Sequence, residues 1–348
     1  MLEDLQTALL ISLAKLSLPQ SPYFVGYIAS AGLAAAFAYV LLRGGKRRSL
    51  RGVLRFVFPR RILMHPSARL DYQYFFIGAL IHVVMLTGMV LSSTLISEGT
   101  LATLASASGM TAPFAGLNWL VAALIMTITY VLLFDLGYWI GHRLMHEIPL
   151  LWEFHKPHHA AEVMTPITST RAHPMEDIIQ SNAIAIVVGF GHGISLWLLG
   201  PGAQPISLLG VNVILLAFYV TLFHLRHSHV WLPVSGRLAY IIQSPAHHQI
   251  HHSDDPRHMG KNLGFCLSFW DWMFGTLYVP SEKESLTFGI GDESHDYRSL
   301  HGFLLQPFLK AGTMIAGLMR RGAETPAPAI KVPSAPSVAA APSTRHPG

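Results

Sequence analysis

Cysteine is almost absent. Cys266 is the only one in 348 residues, so neither an intrachain disulfide nor a cysteine-ligated zinc or iron–sulfur centre can be built. Any metal must be held by nitrogen and oxygen. Charge is scarce as well. Asp, Glu, Lys and Arg make up 12% of the chain against 51% hydrophobic residues, whereas an ordinary soluble domain carries about 25% charge. With a mean hydropathy of +0.41, the composition argues against a soluble globular enzyme and for a membrane protein. A nucleotide-binding fingerprint is missing too: "GIG" at 289–291 lacks the rest of the glycine pattern and reads as a turn. No haem, flavin or iron–sulfur domain is visible, and nothing points to nucleic acid. The first twenty residues have Glu3 and Asp4 where a secretory signal needs basic residues, and no small-residue cleavage site follows. They read as an amphipathic helix on the membrane surface.

Long apolar runs are what the chain does have. Segments 24–42, 73–95, 115–140, 178–199 and 206–223 approach the ~20 residues that cross a bilayer. Asp135 and Tyr138 imply that the third helix leaves the membrane near 135, and "GPGAQP" predicts a tight hairpin between the last two spans. Arg43, Lys46, Arg47, Arg48, Arg51, Arg55, Arg60 and Arg61 fall between the first two spans and assign that loop to the cytoplasm. The loop 96–114 has no Lys or Arg and suits the other side. Alternation then puts 141–177 and everything after 224 on the cytoplasmic face. From about 322 the chain is rich in Ala, Pro and Ser without apolar periodicity, and disorder is expected.

Histidine is the second abundance, with 20 residues unevenly spread. "HRLMH" sets His142 and His146 four apart, on one face of a helix. Asp135 lies two helical turns before His142, where a carboxylate can accept the second ring N–H of a liganding imidazole. "FHKPHH" contributes His155, His158 and His159, and "HHQIHH" repeats the spacing with His248, His251 and His252, preceded by His247. Adjacent histidines cannot face one way in regular structure, so His158 and His159 are expected to reach different ions or different sides of one. Pro157 is expected to break the helix and let the chain wrap around a metal. "FHLRHSHV" adds His224, His227 and His229. An isolated histidine is ordinarily a surface or capping residue, which is the reading for His65, His82, His192, His258, His295, His301 and His346. The clusters are different. Eight or more imidazoles exceed what one tetrahedral zinc uses and suit two transition-metal ions; imidazole by itself admits iron, zinc and others.

These residues also carry a resemblance. "FDLGYWIGHRLMHEIPLLWEFHKPHH", "TSTRAHPMED", "HSHVWLP" and "SPAHHQIHHSDDP" with the following "NLGFCLSFWDWMFGTLYVP" are similar to the signature regions of the fatty acid hydroxylase/sterol desaturase superfamily over about 115–285. One departure is His229, where that superfamily more often has Asn; it is read as a tolerated exchange. The resemblance implies an all-α, multi-span helical membrane protein with a cytosolic histidine-rich helical cap. It implies a di-iron centre held by His142, His146, His155, His158, His159, His227, His248, His251 and His252, with His173, His224 and His247 as a second tier. It further implies O2-dependent hydroxylation or desaturation of a membrane lipid. The electron donor would be a separate protein, of reductase, ferredoxin or cytochrome type. Trp270, Asp271 and Trp272 are expected to pack the cap against the helices. The expected units are 1–70 (amphipathic segment, first span and basic loop), 71–114 (second span and outer loop), the catalytic domain 115–285, a cytosolic or interfacial helix region 286–321 and the tail 322–348. A histidine-rich metal transporter or binding protein is the competing class, but it should carry ligands near mid-membrane, where the predicted spans hold only His82 and His192.

Overall fold

The computed structural model describes residues 10, 13–42, 49–86 and 88–324. Most of the amphipathic segment, part of the basic loop and the Ala/Pro-rich tail from 325 lie outside the described residues.

The described chain is mainly helical. Helix α1 is Val25–Leu42, α2 is Leu50–Val57 and α3 is Pro66–Leu86. Helix α4 follows at Ser93–Ser108, then α5 at Trp119–Glu147, α6 at Pro149–His159 and α7 at Pro174–Leu199. A two-residue hairpin pairs β1 (Ser207–Leu208) with β2 (Val211–Asn212), antiparallel, Ser207 opposite Asn212. Helix α8, Val213–Arg226, contains a π-helical stretch at Tyr219–Phe223. Helices α9 (Pro245–His251), α10 (Phe269–Phe274) and α11 (Leu300–Glu324) complete the order. Among the described residues, three helices are long and apolar enough to cross a membrane, at Trp119–Glu147, Pro174–Leu199 and Leu300–Arg320.

Local sequence explains the boundaries near the histidines. The Asn118 side chain caps α5 by accepting from Leu120 N at 2.9 Å. Helices α6, α7 and α9 each begin with Pro at the first position, where its missing N–H costs nothing. Helix α5 has 29 residues and so runs about 44 Å, well beyond the ~30 Å hydrocarbon thickness. Its N-terminal part is apolar, and His142 and His146 occupy its last two turns.

Several expectations are corrected. The segment 96–114 is largely helix, not loop: Ser92 caps α4, Gly109 ends it in the left-handed conformation, and α4 packs on α7. Its small polar residues hid a packed helix. The predicted span 73–95 ends at Leu86. The predicted span 206–223 is shortened at its start by the β-hairpin, leaving α8 to deliver His224 and His227. Pro157 does not break α6, which continues to His159. It stands near the C-terminal end, where few further helical bonds remain to be lost.

The scaffold beneath the histidines is the α5–α7 pair. A Cβ on Gly137 would stand 2.7 Å from Ile184 Cα, so only glycine permits this approach. An aromatic core joins α1, α5 and α8 through Tyr27, Val131, Phe218, Tyr219, Phe223 and Phe265. A buried ion pair ties α3 to the chain before α7: Arg171 Nη1 donates to Asp71 Oδ1 at 3.0 Å and Nε donates to the Pro157 carbonyl at 2.7 Å. Gly137→Val should force α5 and α7 apart at a cost of about 1–3 kcal/mol. The melting temperature of the detergent-solubilised protein should fall, and an unchanged value would contradict the close packing.

Candidate metal centre

The two H-x2-H-H motifs lie on α6 and α9. Residues four apart on a helix share a face, and the residue three along lies beside them. The nine first-tier histidines converge in two groups. His142, His146, His155, His159 and His251 form one, and His158, His227, His248 and His252 form the other; the ligand atoms within each group lie within 4.8 Å of one another. Each motif is split in the same way. On α6, His155 and His159 face the first group while His158 crosses to the second. On α9, His248 and His252 face the second while His251 crosses to the first. The groups abut, with the rings of His159 and His252 stacked at 4.6 Å between centroids.

The donor set fits metal ions. In the second group, the Nε2 atoms of His227, His248 and His252 form a triangle with edges of 3.0, 3.1 and 3.2 Å. No placement of one proton per ring satisfies all three edges by hydrogen bonding, because two of the three nitrogens must share a role, so that donor faces donor or acceptor faces acceptor. Three nitrogens so spaced can all lie about 2.1 Å from a single ion. In the first group, His155 Nε2 lies 3.1 Å from His142 Nε2 and 3.2 Å from His159 Nε2. His146 Nε2 and His251 Nε2 are buried without a hydrogen-bond partner. Burial keeps the rings neutral, with lone pairs available. It lowers His158 to about 3 and His251 to about 4, and it holds His155, His159, His227, His248 and His252 well below the usual imidazole value.

The opposite ring nitrogens are fixed largely by backbone. His142 Nδ1 donates to Leu263 O at 2.8 Å, His251 Nδ1 to Lys261 O at 2.8 Å and His158 Nδ1 to Arg171 O at 3.1 Å. These contacts set each tautomer and aim Nε2 inward. The carbonyls come from chain that is itself clamped. Asp271 accepts from Leu263 N and Gly264 N at 2.9 Å, and from Trp139 Nε1 on α5 at 3.1 Å. Asp135 accepts from the N–H groups of Phe265, Cys266 and Leu267 at 3.3, 2.7 and 2.9 Å. A Cβ on Gly264 would collide with the Leu267 carbonyl.

Asp135 therefore bonds no histidine among the described contacts. It orders the 263–267 loop, through which His142 is held, a correction to the direct contact expected from the two-turn spacing. The carboxylate that does meet a ligand ring was missed. Glu176 Oε1 lies 2.9 Å from His155 Nδ1, a close contact and not an aligned hydrogen bond, while Oε2 accepts from His173 N. Its only signal was the acid shortly after the His-Pro of "RAHPMED".

The three second-tier histidines stand outside both groups. His173 caps α7 by accepting from Met175 N, and its Nε2 donates to Leu304 O, fastening α11. His224 Nε2 donates to Pro22 O at 2.8 Å. His247 Nδ1 accepts from Ser244 N in the capping box of α9. His229 is likewise outside, with Nε2 donating to Phe56 O. His258 is buried beside Glu284 at 3.2 Å instead of lying at the surface.

Two cavities reach the groups and share no lining residue. One, of about 220 Å³, touches His142 and His155 of the first group and His158 and His227 of the second, between aromatic walls that include Phe134, Tyr138 and Phe265. The other, of about 760 Å³, reaches His146, His159 and His251 and is edged by Glu147 and Asp254.

Apolar helices of membrane-crossing length and two abutting imidazole groups that could each hold a metal ion define the site. Residues 127–276 match the fatty acid hydroxylase family. It is 28% identical over 175 residues to an alkylglycerol monooxygenase of Xenopus tropicalis, covering 49% of this chain and 34% of that protein. It is 28% identical over 181 residues to an ornithine lipid hydroxylase of Rhizobium tropici, covering 51% of this chain and 49% of that protein. It is 29% identical over 157 residues to a Delta(7)-sterol 5(6)-desaturase of Gibberella zeae, covering 44% and 42%. The chain thus spans about a third to a half of the length of these curated relatives. No solved structure matches it.

Glu176→Gln should leave the fold intact and weaken metal binding about 10–100-fold, as read by titration with a competing chelator; unchanged affinity would remove Glu176 from the site. Acid should act on stability as well. A ring whose pKa falls on folding binds its proton more readily in the unfolded chain, so stability is full above about 6.5 and falls as pH drops toward about 4 and then 3. Melting temperature of metal-free protein should decline across that window, and a flat profile would contradict neutral buried rings.

Proposed function

We propose that the chain is an integral-membrane, O2-dependent di-iron oxidoreductase that hydroxylates or desaturates a C–H bond of a lipid. The observation that carries this reading is the convergence of nine imidazoles into two abutting groups beside a lipid-sized apolar scaffold. The relatives support it: each is named for oxidising a lipid or sterol. His142, His146, His155, His159 and His251 would hold one iron, and His158, His227, His248 and His252 the other. Bound iron supplies the O2-dependent removal of hydrogen from an unactivated carbon.

The remaining work falls to the chain itself. Leu263, Lys261 and Arg171 carbonyls hold three Nδ1 protons, and a Glu176 carboxyl oxygen stands beside a fourth Nδ1, that of His155. The 220 Å³ cavity borders both groups and presents aromatic walls, so it suits the lipid segment being oxidised and keeps water from it. The separate 760 Å³ cavity, bounded by Glu147 and Asp254, gives O2 and an electron-transfer protein of reductase, ferredoxin or cytochrome type their own approach. The basic residues between the first two predicted spans support a cytoplasmic position for the histidines. The catalytic unit would be 115–285.

Purified protein should contain about two iron equivalents, more than one zinc-type site would take. His158→Ala and His251→Ala should each lower iron content and bring activity below detection. Mass spectrometry of lipid extracts from cells with and without the chain should reveal a gain of one oxygen or a loss of two hydrogens. Full activity of a metal-free double variant would sink the reading.

A further inference from the structure

The α8 helix ends in a second buried arginine whose surroundings differ from those of Arg171. Arg171 is engaged by Asp71, Ser67, Pro157 O and Tyr297 O. Arg226 is 2% exposed, yet among the described residues no carboxylate lies within ion-pair distance of it. Its Nη1 donates to Phe265 O at 2.8 Å, and its Nε has no partner. The guanidinium lies over the rings of Phe265, Phe223 and Phe218, at 4.6, 5.0 and 5.4 Å. Cation–π contacts offset part of the cost of desolvating a cation, but they leave its hydrogen-bond donors unused. A buried charge ordinarily finds an ion or acceptor partner.

Arg226 lines the 220 Å³ cavity that also touches His142, His155, His158 and His227. Sites for a whole drug-sized ligand run to about 300–1,000 Å³, so this cavity takes one end of a lipid. A cation with spare donors and four ring edges thus share a space too small to separate them by much of a chain.

We propose that Arg226 binds an acceptor oxygen of the lipid, a carboxylate by preference, and so directs oxidation to a carbon close to that oxygen. This rests on the lipid-oxidising reading above. Arg226 is then the residue that distinguishes an oxygen-bearing lipid from a plain hydrocarbon. A guanidinium fork makes charge-assisted, paired bonds to such a group, and a lysine supplies charge without the fork.

The test uses full-length, detergent-solubilised protein and equilibrium dialysis with radiolabelled hexadecanoate, hexadecyl phosphate, 1-hexadecanol and hexadecane. Wild type should bind at least one oxygenated ligand about tenfold more tightly than hexadecane. The preferred one identifies whether the oxygen belongs to a carboxylate, a phosphate or a hydroxyl. Arg226→Met should abolish that ratio while leaving hexadecane affinity and iron content unchanged, and Arg226→Lys should keep part of it. A wild type without discrimination would overturn the proposal. So would an Arg226→Met protein that melts lower or loses iron but keeps the ratio, since that is what a purely structural arginine gives. If Arg226→Met does not fold, Arg226→Lys decides: a reduced ratio supports the proposal and an unchanged ratio overturns it. Discrimination in a wild type that holds no iron and oxidises no lipid would sink the di-iron reading and leave the Arg226 contact standing.

Discussion

Successive residues on an α-helix point about 100° apart, and the metal-type pockets are built on that turn. In His155, His158 and His159, as in His248, His251 and His252, the outer pair shares one face and the middle residue is swung aside. Two short helices set against each other then cross-brace. Each gives two rings to one group and one ring to the other. The remaining members, His142 and His146 from α5 and His227 just after α8, close the two groups separately. Neither group exists without both motif helices.

Burying so many rings creates a second demand, because each carries two polar nitrogens. The fold meets it chiefly with peptide carbonyls. Residues 261–267 form a short loop that does more of this than any helix. Lys261 O and Leu263 O receive His251 and His142, while Phe265 O receives Arg226. Asn262, with a left-handed φ of 56°, makes the turn between the first two carbonyls, and its side chain donates to His247 O and Tyr278 O. Asp135 and Asp271, both buried, hold the loop's N–H groups from opposite ends. Two carboxylates spent on amide groups thereby orient two imidazoles and a guanidinium without touching the imidazoles. Arg171 plays the same part for His158, since its side chain joins three segments and its carbonyl fixes the ring.

Eight of the nine histidines were legible in the two triplets and the H-x3-H pair, because helical spacing is a local property, while His227 was set apart from His224 and His229 only by the resemblance. The helical class was legible in the long apolar runs together with the resemblance. What failed was reasoning that needed distant chain. Asp135 and His142 do share a helix face by spacing, yet the carboxylate's partners lie about 130 residues further on. Glu176 meets His155 only because α7 begins beside α6, and no periodicity encodes that adjacency. His173 and His247 resemble ligands by their company, although Pro174 directly after His173 and Pro245 two residues before His247 mark helix starts, where both side chains take capping roles. Helix α4 was hidden by its serines and threonines, which read as loop until their packing against α7 is seen.

The interlocked arrangement of α6 and α9 confines where change can be absorbed. Sliding or rotating either helix would disturb both pockets together, so the histidine frame has little freedom to drift. The walls of the smaller cavity are under no such restriction. Phe134 and Tyr138 line it without offering a ligand nitrogen to either group, and diversity in what such a scaffold accepts would accumulate at positions of that kind.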